Sequence, residues 1–422
     1  MKILVVGNGS REHALIWKLK QEPEVKKIFC TIGNAGIEEL AQCIPVTPHD
    51  IHGLIQFADK NHIDLTIAGP ESLLFEGIVD AFQAQGLTIF GPSKRAAKIM
   101  MSRKFAKYIC RQYRVPTAEH TLFDDYFKAK KYIEQARLPV VIKTETHIGD
   151  RGIFICKTRN EALLAIKEIM SDGKFGDAGN KILIEEHLTG DEVSLSVFTD
   201  GIQIIPVPYA RIYKNLFDRG KGLITRGLGA YAPVHVSKKT HKAICEDVIM
   251  PVIRGMALEN SPFRGVLHVN LIITKSGPAV TGFKCNFDDS LAETLLPLMK
   301  SPIAGILTAC ATNQLEKSAV RFSDHFSVSV VMTSGGNPYT FSGSKRIIGL
   351  DKKFADNITT FHAGTKRDMG VFKTTDNRVL TVTAIDKSIN AAFKNVYYTI
   401  GKITYDGAYY RKDIALEACN NE

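Results

Sequence analysis

Short apolar runs punctuated by glycine set the rhythm of the first part of the chain. KILVV, KIFCTI, LTIAG and LTIFG each fit a buried strand, and the stretches between them, such as REHALIWKLKQ and EGIVDAFQAQ, read as helices. Strand and helix in alternation predict a parallel, doubly wound sheet. The loops GNGSREH, GNAG, GPES and GPSK all follow strands, and the carboxyl ends of parallel strands are where such sheets bind ligands. GNGSREH opens a helix, so its backbone N–H groups are placed to hold an anion. As a dinucleotide fingerprint it is weak, because Glu12 stands where the third glycine belongs. Nothing else supports a nicotinamide site.

A second pattern begins near residue 100. SRKFAKYICRQYRV is a basic helix, and RLPVVIKTETHIGDRGIFICK reads as two strands around a polar loop holding Gly149 and Gly152. NKILIEEHLTGDEVSLSVFTDG reads as strand, acidic turn and alternating strand. IITKSGPAVTGFKCNFDD reads as a hairpin turning at Ser276-Gly277, whose second strand ends near a pair of aspartates. From about residue 325, HFSVSVVMTSGG, RIIGLD, TTFHAGTK and RVLTVTAI predict a strand-rich third unit. Three domains are expected, over 1–100, 101–325 and 326–422, without internal repeat or long linker.

Composition narrows the setting more than the chemistry. The 422 residues are 45% hydrophobic and 23% charged, as in an ordinary globular protein. No apolar run approaches the ~18 residues of a membrane span, and MKILVVGNGSREH is too short in its apolar part for a signal peptide. A cytoplasmic protein is expected. The formal charge of +10 is spread along the chain without a basic tail or aromatic-interleaved patch, which favours small anionic ligands over nucleic acid. The eight cysteines show no metal-ligand spacing and are expected as reduced, mostly buried thiols.

The order of chemistry-bearing residues in the second unit is more telling. Lys143 ends one strand, and a Glu-rich connection follows some forty residues later. A nucleotide held between two sheets would place its phosphates by Lys143, its base by the backbone of Glu185–Leu188 and its ribose by Glu192.

These residues, with GNGSREHA, GNAG, GPES, FGPS, PTAEH, VVIK, FGDAG, ILIEEHLTGDEVS, GLGAYAP, FHAGTK and RKDI in this order, resemble the phosphoribosylamine–glycine ligase family, ATP-grasp enzymes of purine biosynthesis, essentially end to end. The resemblance implies an α/β and α+β multidomain fold. Its parts would be a Rossmann-like N-terminal domain, a central ATP-grasp domain with a lid over about 120–190, and a strand-rich C-terminal domain. It implies a monomer that joins glycine to phosphoribosylamine through a glycyl phosphate, with ATP as cofactor and Mg²⁺ or Mn²⁺ as its usual companion. Arg103, Lys143, Arg151, Gly152, Glu185, Glu186, Leu188 and Glu192 are then expected to bind ATP. Gly7, Asn8, Gly9, Arg11, Glu12, Gly33, Asn34, Gly36, Pro70, Glu71 and Asp218 are expected on the phosphoribosylamine side.

The chain departs from that family at three places. Lys143 to Ile153 reads KTETHIGDRGI where the family has roughly KADGLAAGKGV, so that Thr146 and Asp150 replace glycines and Arg151 a lysine. Glu145 and Asp150 would bring negative charge toward the phosphates. In the loop from Asp218 to Tyr231, Leu223 and Ile224 stand for Pro and Asn, and Arg226 for Gly. Most telling, the family's metal-binding Glu and Asn are here Gly282 and Lys284, and its substrate-facing Arg is Asn286. A metal site of the usual type is not expected. Asp288 and Asp289 could catch a displaced ion, although solvated turn acids are the simpler expectation. Two readings stay open: a ligase in which Lys284 replaces part of the metal's charge, or a catalytically inactive relative that binds a nucleotide or another anionic metabolite in a regulatory role.

Overall fold

The computed structural model describes residues 1–148, 151–316, 320–335, 340–341 and 343–420. The sequence-predicted positions Gly149 and Asp150 lie outside the described residues. The first unit is a five-stranded parallel sheet in the order β3-β2-β1-β4-β5: β1 (Lys2–Val6), β2 (Lys27–Thr31), β3 (Gln42–Ile44), β4 (Leu65–Ala68) and β5 (Ile89–Phe90). β1 and β4 sit at its centre and are buried on both faces, which is why they read as unbroken apolar runs.

Two antiparallel sheets follow. The first orders β6 (His120–Phe123), β9 (Ile182–Glu186), β7 (Val140–Thr144) and β8 (Ile153–Cys156) as β6-β9-β7-β8. The second runs from β11 (Ile204–Pro206) through β10 (Asp191–Thr199) to the Gly265–Thr274 strand and the Gly277–Lys284 strand. β9 and β10 are neighbours in sequence but belong to different sheets, so residues 187–190 form the link between the two layers. The predicted hairpin is present, with Gly282 opposite Asn270 and Lys284 opposite His268. Its register slips at Thr281, and that bulge turns the Thr281 carbonyl toward Lys143 Nζ, 3.0 Å away.

The C-terminal sheet orders Arg211–Ile212, Gly229–Ala232, Phe326–Thr333, Arg378–Asp386 and Ile358–His362, so it borrows two strands from the middle of the chain. RIIGLD, expected as a strand, makes only isolated bridges at Arg346 and Ile348, because its partners are single residues rather than a continuous edge. One apolar core runs through Val5 of the first sheet, Phe198 of the central sheet, Phe287 after the hairpin, Leu291 of the following helix, and Phe361 of the C-terminal sheet. All eight cysteines are free and five are buried. Among the described residues no helix is long and apolar enough to cross a membrane.

Candidate functional site

A cavity of about 330 Å³ lies between the two antiparallel sheets. Arg103, Lys107, Lys143, Lys214 and Lys284 line it, together with Glu185, Glu186, Glu192 and the 187–190 link. Ser102 caps the Arg103–Gln112 helix by accepting the Phe105 N–H at 3.1 Å. Arg103 and Lys107, four apart, then share the helix face that looks into the cavity. Lys143 leaves the end of β7 and donates to Glu185 Oε2 at 2.7 Å, while Lys107 reaches Glu185 Oε1 at 3.2 Å. All three side chains are buried. Burial pushes the Glu185 carboxyl up, but the two lysines outweigh it and hold it below the usual range. Burial lowers Lys143 in turn, against the pull of Glu185. The result is a buried, net-cationic floor suited to an anionic ligand.

The sequence-predicted nucleotide residues divide into those at this cavity and those beside it. Arg103, Lys143, Glu185, Glu186, Leu188 and Glu192 line the cavity. Gly152 and exposed Arg151 do not. A Cβ on Gly152 would meet Thr144 Oγ1 at 2.4 Å, so its smallness serves the β7–β8 hairpin. Glu145 was expected to repel phosphates. Its carboxylate instead accepts the Ser102 hydroxyl and the Lys104 N–H at the start of the basic helix. Sequence reasoning missed Lys107, Lys214 and Asn270. Lys107 had a signal, since it lies one helical turn from Arg103; the other two had none.

The strand-end loops of the first sheet gather on the other side of Lys284. In GNGSREH the Gly9 N–H donates to Glu12 Oε2 at 2.7 Å and Arg11 Nε to Glu12 Oε1 at 2.9 Å. Glu12 is therefore engaged in holding its own loop. A Cβ on Gly7 would lie 2.9 Å from the Glu12 side chain, so the close turn needs glycine. Asn34 closes the GNAG loop: its Oδ1 accepts the Gly36 and Ile37 N–H groups, both at 3.0 Å, and its Nδ2 donates to the Asn8 carbonyl at 2.7 Å. A Cβ on Gly36 would strike the His13 ring at 2.2 Å, and Gly33 turns with φ +78° against Cys43. His13 and His362 pack together beneath this loop. Burial lowers both, to about 3 and about 4, so both are neutral near pH 7. Pro70 starts the short helix that carries Glu71, whose carboxyl burial raises against the opposing influence of Lys284 and Arg11. Asp218 stands apart, accepting the Lys412 N–H at 2.9 Å.

The hairpin end joins the two halves. Lys284 Nζ is 2.8 Å from Asp288 Oδ2, and both side chains are buried. Asp289 faces Arg11 at 3.5 Å, Arg378 at 3.9 Å and Arg226 at 4.0 Å. Burial pushes its carboxyl up, but the three guanidinium groups outweigh that and hold it down. Asp288 is thus buried and Asp289 half-buried, and both are ion-paired rather than solvated turn acids, because the loops of the first sheet and Arg378 of the C-terminal sheet close over them. Asn286 donates to the Gly69 carbonyl at 2.7 Å, tying the hairpin end to the GPES loop.

The divalent ion that the family resemblance implies does not fit these residues. Mg²⁺ takes near-octahedral oxygen donors, commonly including one or two carboxylates. Gly282 offers no side chain, and a Cβ there would find nothing within 4 Å, leaving open space where a donor could stand. Lys284 brings an ammonium. The nearby Asn270 Oδ1 already accepts from Lys214 at 2.8 Å and Ser194 at 3.2 Å. Among the described residues no group of three or more His, Cys, Asp or Glu is placed to hold a metal ion.

Two antiparallel sheets clasping a lysine-lined cavity, with the loops of an open parallel sheet tied to the hairpin end beside it, define an ATP-grasp protein. Comparison with known proteins narrows the class. The N domain, ATP-grasp (A) domain and C domain of phosphoribosylglycinamide synthetase match residues 1–100, 101–292 and 327–417. The phosphoribosylamine–glycine ligase of Caldanaerobacter subterraneus subsp. tengcongensis is 39% identical over 416 residues, covering 98% of this chain and 99% of that one. The Escherichia coli K12 protein of the same name is 37% identical, with both chains covered fully. The chain belongs to the phosphoribosylamine–glycine ligase family. The Thermotoga maritima phosphoribosylamine–glycine ligase structure superposes with a TM-score of 0.85 at 22% identity over 98% of this chain and all of that one. A Campylobacter jejuni biotin carboxylase structure shares the fold more distantly, with a TM-score of 0.75 at 16% identity over 99% of this chain and 94% of that one.

Proposed function

We propose that this protein ligates glycine to phosphoribosylamine at the expense of ATP. A carboxylate is a poor electrophile at neutral pH, so its oxygen first attacks the γ-phosphorus and ADP leaves. The amine nitrogen of phosphoribosylamine then attacks the acyl carbon of glycyl phosphate, phosphate leaves, and the nitrogen loses a proton. In this reading Lys143 and Arg103 meet the phosphates, the backbone of Glu185–Leu188 meets the base and Glu192 the ribose. The GNGSREH, GNAG and GPES loops hold the phosphoribosylamine. The division of labour follows three units with boundaries near 100 and 325.

One observation carries this reading. The cavity and the loops of the first sheet meet at the hairpin end, through Lys284–Asp288, Asp289–Arg11 and Asn286–Gly69, which supports an acyl phosphate formed on one side meeting an amine held on the other. Full-length family membership supports it. ADP release measured with ATP, glycine and phosphoribosylamine should require all three, with glycinamide ribonucleotide formed in equal amount. ADP release indifferent to either co-substrate would overturn the assignment.

A further inference from the structure

The donor set at the hairpin end conflicts with the ion the family implies, and the conflict has a definite chemical meaning. Resting on the nucleotide reading above, we infer that this protein binds the polyphosphate of ATP without a divalent cation, with Lys284 supplying charge that an ion would otherwise bring.

Three observations carry this. Lys284 lines the cavity, and its buried partner Asp288, at 2.8 Å, fixes the ammonium where the hairpin ends. Gly282 lies on the neighbouring stretch of the same strand with open space in front of its Cα, so the carboxylate that would draw an ion to this end is missing while the room for it persists. Asn270, directly opposite Gly282, has its side-chain oxygen engaged by Lys214, which also lines the cavity. Lys214 and Lys284 therefore flank the position, and Lys143 stands behind it on the Thr281 carbonyl. Lysine acts on phosphate as a compact point charge and needs no fixed coordination geometry. A dication entering here would stand among the Lys284, Lys214 and Lys143 ammonium groups, whose partners already hold the nearby oxygens, and the repulsion disfavours it.

Calorimetry on the full chain tests the inference, with ATP as the probe in EDTA and again in excess Mg²⁺. The dissociation constants should agree within about threefold. Lys284→Met combined with Asp288→Asn, which removes both charges of the ion pair, should weaken ATP binding in EDTA at least tenfold and AMP binding hardly at all, with folding checked by thermal melting. Gly282→Glu should make binding respond to Mg²⁺. ATP affinity that Mg²⁺ improves tenfold or more in the unaltered protein would overturn the inference and leave the nucleotide reading standing. An unchanged ATP affinity in the double variant would overturn the role of Lys284. Absence of ATP binding in both conditions would overturn the inference together with the nucleotide reading.

Discussion

Glu185 is shared by Lys143 and Lys107 under the cavity, and its energetics are those of a buried charge with two partners. Removing one partner from such a group costs about 3–5 kcal/mol, because the remaining charge stays desolvated. Lys143→Met is therefore expected to lower unfolding stability by about 3 kcal/mol in urea titrations. Lys107→Met/Lys143→Met/Glu185→Leu, which removes all three buried charges, should recover most of that loss, yet still fail to bind ATP with native affinity. Recovery of both would mean that Lys143 is structural only. At this scale the sequence was partly legible. Lys143 and Glu185 stood out by their order along the chain, but that they bond to each other was not, since strand register and the Thr281 bulge set their distance. Asp288 and Asp289 misled for a related reason: a turn at a hairpin end is solvated unless another unit covers it, and here Arg11 and Arg378 do.

Among the elements, the 187–190 link matters most, because it carries the chain from one wall of the cavity to the other. A Cβ on Gly190 would lie 2.1 Å from the Ile273 carbonyl oxygen, a backbone atom that cannot swing aside. Gly190→Ala should push the link away from the Gly265–Thr274 strand and open the base side of the cavity. The expected outcome is a stability loss of about 1–3 kcal/mol, with ATP affinity falling at least tenfold. An AMP titration should show the same fall, which distinguishes a base-side lesion from one at the phosphates. The sequence pattern announced β9 and β10 correctly as strands. It could not announce that they enter different sheets, because period-2 alternation reports which face is buried and not which strand lies beside it.

Across the whole molecule, Glu293 is where the three units meet. Its carboxyl faces Ser10 of the first unit, Thr381 of the C-terminal sheet, and the charges of Asp289 and Arg378. Burial dominates and raises it from 4.5 to about 8, so it is held protonated in the fold at neutral pH. Between those values the folded chain keeps a proton that the unfolded chain has released, so this group's contribution is complete below the unfolded value and lost as pH rises through the folded one. From about pH 5 to about pH 8 the unaltered protein should lose on the order of 3 kcal/mol relative to Glu293→Gln. Chemical denaturation of both proteins across that range checks it; parallel curves would show that Glu293 titrates normally.

The sequence by itself determined the alternation of elements, the glycines that the turns at Gly7 and Gly36 require, and the family. Local sterics and hydrophobic period act over a few residues and are written in them. It also fixed the missing donors at positions 282 and 284. What the tertiary structure alone decided is how charges are paired. Lys107 meets Glu185, Lys284 meets Asp288, and three arginines from three parts of the chain converge on Asp289. Burial and pairing together set whether a charge is free to meet a ligand or held by a neighbour, and both arise only when distant segments pack.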